Sequence, residues 1–153
     1  MYERILIPTD GSDVAEAAVD HTLDLAEQYD AEVHALYVVD IDSVNFSLGT
    51  EQVDRLKQGR FEEMGELKQQ ADEATGAVAE RGAERGVDVV EQVSGGRPHK
   101  VISSYAEDHA VDLIVMGSHG RAGVRRALLG SVTERTLRST HVPVLVVDYL
   151  DED

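Results

Sequence analysis

The stretch that decides the fold is residues 111–139, VDLIVMGSHGRAGVRRALLGSVTERTLRS. It opens with the apolar run 113–116, which is typical of a strand buried on both faces of a parallel sheet. A glycine-containing loop follows, and a short amphipathic helix is predicted to begin at Val132. This arrangement presents backbone N–H groups to an anion, because glycines allow close approach and the first turn of a helix has unpaired donors. The stretch therefore predicts a site for the phosphates of a nucleotide.

The chain is strongly acidic, with 30 acidic against 14 basic residues and a net charge of −16 over 153 residues. This charge disfavours nucleic acid and anionic membranes as partners. It also fits a salt-rich cytoplasm, where repulsion is screened, so we expect a halophilic source, an archaeon; an acidic mesophile protein is the alternative. The length is that of one ordinary domain, and we expect a single domain over 1–153.

Several kinds of site are disfavoured by what the sequence lacks. There is no cysteine, and the six histidines (21, 34, 99, 109, 119, 141) show no metal-ligand spacing, so we expect no metal held by protein alone. No apolar run approaches the ~18 residues of a membrane span. The N-terminus leads directly into a strand at Arg4, without a predicted signal peptide, so a cytoplasmic protein is expected.

Hydrophobic periodicity predicts strands alternating with helices. The strands are predicted over 4–8, 31–39, 87–93, 112–116 and 142–148. The helices are predicted from a cap at Ser12 or Asp13 to about Tyr29, over 60–85 after a break near Gly59, from Pro98, and from Val132. This alternation predicts a parallel sheet with helices on both faces.

A ligand crevice is expected where the strand order reverses, at the carboxyl ends of the strands. If strands two and three lie on one side of strand one, and four and five on the other, the crevice holds Pro8-Thr9-Asp10 and Met116-Gly117. Asp10 can accept hydrogen bonds from ribose hydroxyls or an adenine amino group. The alternatives are that Asp10 only caps the strand–helix turn and that the glycines only form tight turns.

The sequence also carries motifs along nearly its whole length. They are ILIPTDGSD (5–13), LYVVD (36–40), LIVMGSHGR (113–121), LLGSVTERTLR (128–138) and PVLVVD (143–148). The glycines follow the spacing Gly117, two residues, Gly120, nine residues, Gly130. This pattern strongly resembles the nucleotide-binding signature of the universal stress protein family, of the ATP-binding kind.

The resemblance implies a flavodoxin-like α/β fold with a five-stranded parallel sheet of order 3-2-1-4-5, and a homodimer in which the last strands pair. It implies adenine and ribose contacts near Pro8, Thr9, Asp10 and Val39. It implies phosphate contacts at Gly117, Gly120, Gly130, Ser131 and Val132, flanked by Met116 and Arg121. A divalent ion, Mg²⁺ or Mn²⁺, would be held mainly by phosphate oxygens, with the Ser131 or Thr133 hydroxyl as helper.

The loop and the helix after it also carry histidine and arginine side chains for which the sequence allows two roles each. His119 can donate to a phosphate or be a solvated loop histidine. Five arginines fall within 18 positions and give a local positive field, or else form helix salt bridges; they are Arg121, Arg125, Arg126, Arg135 and Arg138. A Walker motif, a G-x-G-x-x-G after the first strand and a G-x-S-x-G elbow are all absent, which disfavours P-loop, dinucleotide-binding and hydrolase readings.

The leading hypothesis is an ATP-binding stress-response protein (with ADP or AMP as alternatives) that acts as a homodimeric switch. The second is a slow ATPase or autophosphorylating protein with Ser118, Ser131 or Thr133 as acceptor. The third is a dimeric scaffold without nucleotide. The dimer contact is predicted at Val142 to Val147, because five of these six residues are apolar and the strand should be an edge.

Overall fold

The computed structural model describes residues 1–40, 65–118 and 130–148. Its strands are β1 (Arg4–Pro8), β2 (Glu32–Asp40), β3 (Val89–Gly96), β4 (Leu113–Gly117) and β5 (Val144–Val147). Its helices are α1 (Asp13–Tyr29), α2 (Gly65–Glu84), α3 (Pro98–Asp108) and α4 (Ser131–Ser139). All strand pairs are parallel, and the order is β3-β2-β1-β4-β5. The predicted order is confirmed, and the reversal lies between β1 and β4.

Two apolar clusters cover the two faces of the sheet. On one face, Leu23 of α1 and Val78 of α2 pack on residues of β1, β2 and β4 that include Ile5. On the other face, Ile102 of α3 packs with Leu6 and other residues of the central strands. Each fully buried side chain of this size stabilises the fold by about 1.5–3 kcal/mol. The helices therefore lie on both faces, as predicted.

The prediction for β3 was wrong at both ends. The strand was expected over 87–93 with a loop from Ser94, whereas it runs Val89–Gly96. The reason is its partner: β2 continues to Asp40, and the ladder extends through Val39↔Gly95 and Asp40↔Gly96. β5 is shorter than predicted, at Val144–Val147, and β4 is shifted by one residue to end at Gly117.

Local sequence signals fix the helix ends. Ser12 caps α1, and its hydroxyl accepts a hydrogen bond from the Ala15 N–H at 3.2 Å, as one of the two predicted caps. Pro98 stands in the first turn of α3, as predicted. For the predicted helix 60–85, the described part is α2; the expected break at Gly59 lies outside the described residues.

Gly82 is the residue at which α2 packs against the start of β3. A Cβ built there would lie 2.5 Å from Val89 Cγ2 and 3.2 Å from the Val87 carbonyl oxygen. Only glycine therefore lets α2 approach the start of β3 this closely. In the described part of the chain, none of the helices combines the length and apolar character needed to cross a membrane.

Candidate functional site

The end of β1 forms a tight, hydrogen-bonded turn into α1. The Thr9 N–H donates to the Leu36 carbonyl of β2 at 2.9 Å, and the Thr9 hydroxyl accepts from the Gly11 N–H at 3.2 Å. Asp10 Oδ1 accepts from the Ser12 N–H at 2.9 Å, and Gly11 takes a left-handed φ of 78°. The turn-capping role considered for Asp10 is thus confirmed. It fixes a carboxylate at the sheet's reversal point, and the contact of that carboxylate with a nucleoside stays a prediction.

The end of β4 and the start of α4 are joined by two hydrogen bonds. The Gly130 N–H donates to the Ser118 carbonyl at 2.7 Å. The Thr133 hydroxyl donates to the Gly117 carbonyl at 2.8 Å. Residues on either side of the segment 119–129 are therefore one hydrogen bond apart. The first turn of α4 consequently lies directly at the carboxyl end of β4.

The first turn of α4 offers backbone donors that have no acceptor among the described residues. Gly130 is the N-cap of α4 and supplies no side-chain acceptor. None of the described residues accepts a hydrogen bond from the N–H groups of Ser131, Val132 or Thr133. The first intrahelical bond runs from the Glu134 N–H to the Gly130 carbonyl at 3.0 Å. Three consecutive N–H groups at the positive end of the helix dipole form the arrangement that binds phosphate oxygens.

Gly130 and Gly117 are not glycines for conformational reasons. Gly130 has φ −60° and ψ 150°, which any residue adopts, and Gly117 is a strand residue without positive φ. A tight turn therefore does not explain either one. The Gly130 N–H is also already used by Ser118, so its predicted phosphate contact would arise from close approach rather than from its own donor.

Three hydroxyl groups at this site differ in exposure. Ser118 is 8% exposed and donates to Asp148 Oδ1 at 2.7 Å, and Thr133 is 3% exposed and donates to Gly117. Ser131 is exposed. Of the hydroxyls considered as phosphoryl acceptors or metal helpers, Ser131 is thus the accessible one.

The remaining predicted residues are divided between core and crevice. Met116 is 4% exposed, and its side chain packs with Leu6 and Leu36, so it lies in the core beneath the site. Val132 packs against the same cluster, which seats α4 on the sheet. Pro8 and Val39 are half-buried near the carboxyl ends of β1 and β2.

Part of the predicted basic loop lies outside the described residues, namely His119, Gly120, Arg121, Arg125 and Arg126. On α4, Arg138 pairs with Glu134 four residues earlier at 3.1 Å. The salt-bridging alternative is therefore confirmed for Arg138. In the described ranges, no group of three or more acidic or histidine side chains is placed to hold a metal ion.

A depression of about 430 Å³ lies at the opposite, amino end of the sheet. It is lined by five carboxylates and by two arginines, Arg4 and Arg85. The guanidinium of Arg85 donates to Glu27 there and lowers the pKa of that carboxyl. The excess of carboxylates disfavours an anionic ligand, so this depression does not compete with the carboxyl-end site for phosphate.

Sequence reasoning missed Asp148 as a residue of this site. It considered Ser118 only as a candidate phosphoryl acceptor. The signal lay in strand ends: β4 and β5 pair as Gly117↔Val147, so the residues directly following each strand are neighbours. That register could not be read from local spacing, because the two residues are 30 positions apart.

A sequence profile of the universal stress protein family matches residues 1–148. The chain belongs to this family. Universal stress protein MJ0531 of Methanocaldococcus jannaschii is 41% identical over 148 residues, covering 96% of this chain and 82% of that protein. The solved structure of MJ0577 from the same organism, a universal stress protein, superposes with a TM-score of 0.78 at 34% identity and covers 99% of both chains.

Two more distant solved structures share the fold of this universal stress protein. One is a universal stress protein in complex with cAMP, at 22% identity and a TM-score of 0.65. The other is a family protein from Arabidopsis thaliana with AMP bound, at 13% identity and the same TM-score. Each covers at least 96% of this chain. At these identities the likeness shows the fold alone.

Proposed function

We propose that this universal stress protein binds an adenine nucleotide at the carboxyl ends of β1 and β4 and acts as a nucleotide-dependent homodimeric switch in the stress response. The phosphates lie at the first turn of α4, against Gly117, Gly130 and the N–H groups of residues 131–133. The adenine and ribose lie near Thr9, Asp10 and Val39. His119, Gly120 and Arg121, which complete the family motif, contribute from the segment between Ser118 and Gly130.

The observation that carries this proposal is the uncapped first turn of α4 at the strand-order reversal. Ser131, Val132 and Thr133 keep their N–H groups without an acceptor among the described residues, within one turn of the Gly117 and Ser118 carbonyls. An anionic ligand would satisfy these donors. Two relatives of the same fold hold cAMP and AMP, which supports an adenine nucleotide as that ligand.

ATP is the nucleotide we propose, with ADP or AMP as alternatives. A divalent ion, Mg²⁺ or Mn²⁺, would neutralise the charge of the phosphates and be held mainly by their oxygens. The exposed Ser131 hydroxyl fits the role of an additional ligand. The Thr133 hydroxyl fits it poorly, because it donates to Gly117 from a buried position.

The assembly and setting of the protein are part of the same proposal. The chain acts as one domain in a cytoplasm of high salt, and two copies pair through the edge strand β5. Support for the pairing comes from β5 itself, which pairs only with β4 in the described sheet and leaves Leu145 37% exposed. The charge of −16 supports both a salt-rich setting and the absence of nucleic-acid partners.

The experiment that tests the proposed ligand is acid precipitation of protein purified without added nucleotide, followed by chromatography of the supernatant. We expect ATP, ADP or AMP in stoichiometric amount. A supernatant without nucleotide, together with no heat of binding on titration with ATP, would contradict the proposal. That result would instead favour a scaffold that works without nucleotide.

One observation favours slow phosphoryl transfer as a second function. Ser131 is exposed at the first turn of α4, where it would lie beside the phosphates. Incubation with ATP labelled in the γ-phosphate distinguishes the two functions. A switch retains intact ATP, a slow ATPase releases labelled phosphate, and an autophosphorylating protein becomes labelled itself unless Ser131 is replaced by alanine.

A further inference from the structure

Ser118 is held on three sides at the point where the chain leaves β4. Its N–H donates to the Val147 carbonyl at 2.8 Å, and its carbonyl accepts from the Gly130 N–H at 2.7 Å. Its hydroxyl donates to Asp148 Oδ1 at 2.7 Å. The residue therefore connects three elements: the end of β4, the end of β5 and the N-cap of α4.

Asp148 is the only one of these partners that is a charged side chain. It directly follows β5, as Ser118 directly follows β4, and the paired ends Gly117↔Val147 bring the two residues side by side. A hydroxyl bond to a carboxylate is stronger than a bond between neutral groups. Removing this acceptor would break a charge-assisted hydrogen bond to a hydroxyl that is 8% exposed, where the loss of such a bond costs more than at an exposed position.

We propose that Asp148 is a positioning residue for phosphate binding, which through the Ser118 hydroxyl holds the Ser118–Gly130 contact and hence the first turn of α4 in its binding position. This inference rests on the proposed function of the site. It assigns to the end of β5 a part in the nucleotide site, so the strand proposed to pair two copies also holds the phosphate-binding turn.

The charge of Asp148 makes the inference sharply testable. A carboxylate close to a phosphate site repels the ligand, so its removal alone should tighten binding of ATP. The role of Asp148 as hydrogen-bond acceptor has the opposite effect on ATP affinity. Loss of its bond to Ser118 releases the first turn of α4 and should weaken binding. Asp148→Asn keeps an acceptor oxygen and loses the charge, whereas Asp148→Ala loses both.

The experiment measures the affinity of full-length wild type, Asp148→Asn, Asp148→Ala and Ser118→Ala for ATP and for adenosine by calorimetry. We expect Asp148→Ala and Ser118→Ala to bind ATP about tenfold more weakly, the size of one charge-assisted hydrogen bond. Asp148→Asn should bind ATP at least as tightly as wild type. Adenosine affinity should be unchanged in all variants, because adenosine has no phosphate. Double replacement should add no further loss.

A readout without nucleotide separates this inference from the proposed function. Amide hydrogen exchange of the ligand-free protein should show loss of protection at the Gly130 N–H in Asp148→Ala but not in Asp148→Asn, with the helices still protected. If wild type binds neither ligand, the proposed function fails, and the exchange result still decides the positioning role. Equal ATP affinity in wild type and Asp148→Ala, a parallel loss for ATP and adenosine, an Asn variant as weak as the Ala variant, or unchanged Gly130 protection would overturn the inference.

Discussion

At the scale of single residues, a polar network around the buried side chains of His34 and Tyr105 lies beneath α3, away from the proposed nucleotide site. His34 of β2 contacts the Tyr105 hydroxyl through Nδ1 and Glu32 Oε1 through Nε2, both at 2.6 Å. The Tyr105 ring stacks on His109 with centroids 3.8 Å apart. Burial, and secondarily the charge of Glu32, raise the pKa of the Tyr105 hydroxyl. The network anchors α3 to the sheet through a hydroxyl that must stay protonated.

This raised pKa predicts an alkaline loss of stability. A tyrosine unfolded in water titrates near pH 10, and the folded protein holds this proton more tightly. The contribution of the protonated Tyr105 hydroxyl to the free energy of unfolding is therefore fully present below about pH 10. It is lost as pH rises through the raised pKa. Urea titrations at fixed salt should show that Tyr105→Phe is less stable than wild type at neutral pH, by about 1 kcal/mol for the lost hydrogen bond, but declines less steeply above pH 10.

The matched control is Tyr29→Phe, which removes the hydroxyl of a tyrosine that is exposed. It should keep the wild-type decline above about pH 10, since Tyr105 is still present. An alkaline decline in Tyr105→Phe as steep as in wild type would assign the pH dependence to other groups.

At the scale of elements, strand β5 combines an open edge with an exposed apolar side chain. It pairs only with β4 in the described sheet, and Leu145 is 37% exposed while Val147 is buried. The apolar content of residues 142–147 was the basis for predicting a dimer contact at this strand. Val144 and Val146 on the opposite face are only half-buried, so neither face of β5 is fully covered, which is the condition expected of a strand that another copy covers.

The dimer contact can be tested by a charge on this edge. Leu145→Lys should give monomers by light scattering in high salt, because a lysine within a paired edge is desolvated without a partner. The control is Leu137→Lys on α4, where a leucine of similar exposure, 40%, is replaced away from the strand edge. Monomers in the control, or an unchanged dimer in Leu145→Lys, would place the interface elsewhere.

The elements also show which features a sequence can predict. Ser12 capping, Pro98 in the first turn of α3 and the β1 bounds depend on neighbouring residues, and all were predicted. The bounds of β3 were not, because its last residues are in a strand only through pairing with β2. The Ser118–Asp148 bond was missed for the same reason, since it depends on the register of β4 and β5. Local chemistry is readable from spacing, whereas register is a property of the assembled sheet.

At the scale of the whole molecule, charge is the dominant feature. The chain has 30 acidic residues against 14 basic ones. Two arginines offset part of this on the neighbouring helix: Arg81 of α2 pairs with Asp20 of α1, and Arg85, which directly follows α2, pairs with Asp24 and Glu27 of α1. Exposed pairs of this kind contribute little and are screened by salt. The unpaired acidic excess therefore decides how the fold responds to ionic strength.

Stability should consequently rise with salt. Between about 0.1 M and about 2 M KCl the Debye length falls from about 10 Å to less than 3 Å, so repulsion across the surface is removed. We expect the midpoint of thermal unfolding to increase over this range, as measured by circular dichroism. The same series with sucrose at equal osmotic strength controls for exclusion effects. A midpoint that does not change with KCl would contradict adaptation to a salt-rich cytoplasm.

The proposed nucleotide site should depend on close approach of the phosphates to the backbone at Gly130. Its dihedral angles suit any residue, so Gly130→Val should fold normally, as judged by circular dichroism. Its side chain would occupy space next to the three donors of α4, and ATP binding should be lost while adenosine binding is retained. Tight ATP binding by Gly130→Val would show that the phosphates do not lie against Gly130.

The measurement that tests the central claim most directly is a titration of nitrogen-15-labelled protein with ATP and with adenosine, followed through the amide resonances of Ser131, Val132 and Thr133. We predict that ATP shifts these three resonances strongly, because phosphate oxygens accept from their N–H groups. Adenosine should shift resonances near Thr9, Asp10 and Val39 and leave those of α4 unchanged. Binding of ATP without a shift at Ser131, Val132 and Thr133 would contradict the claim that the phosphates lie at the first turn of α4.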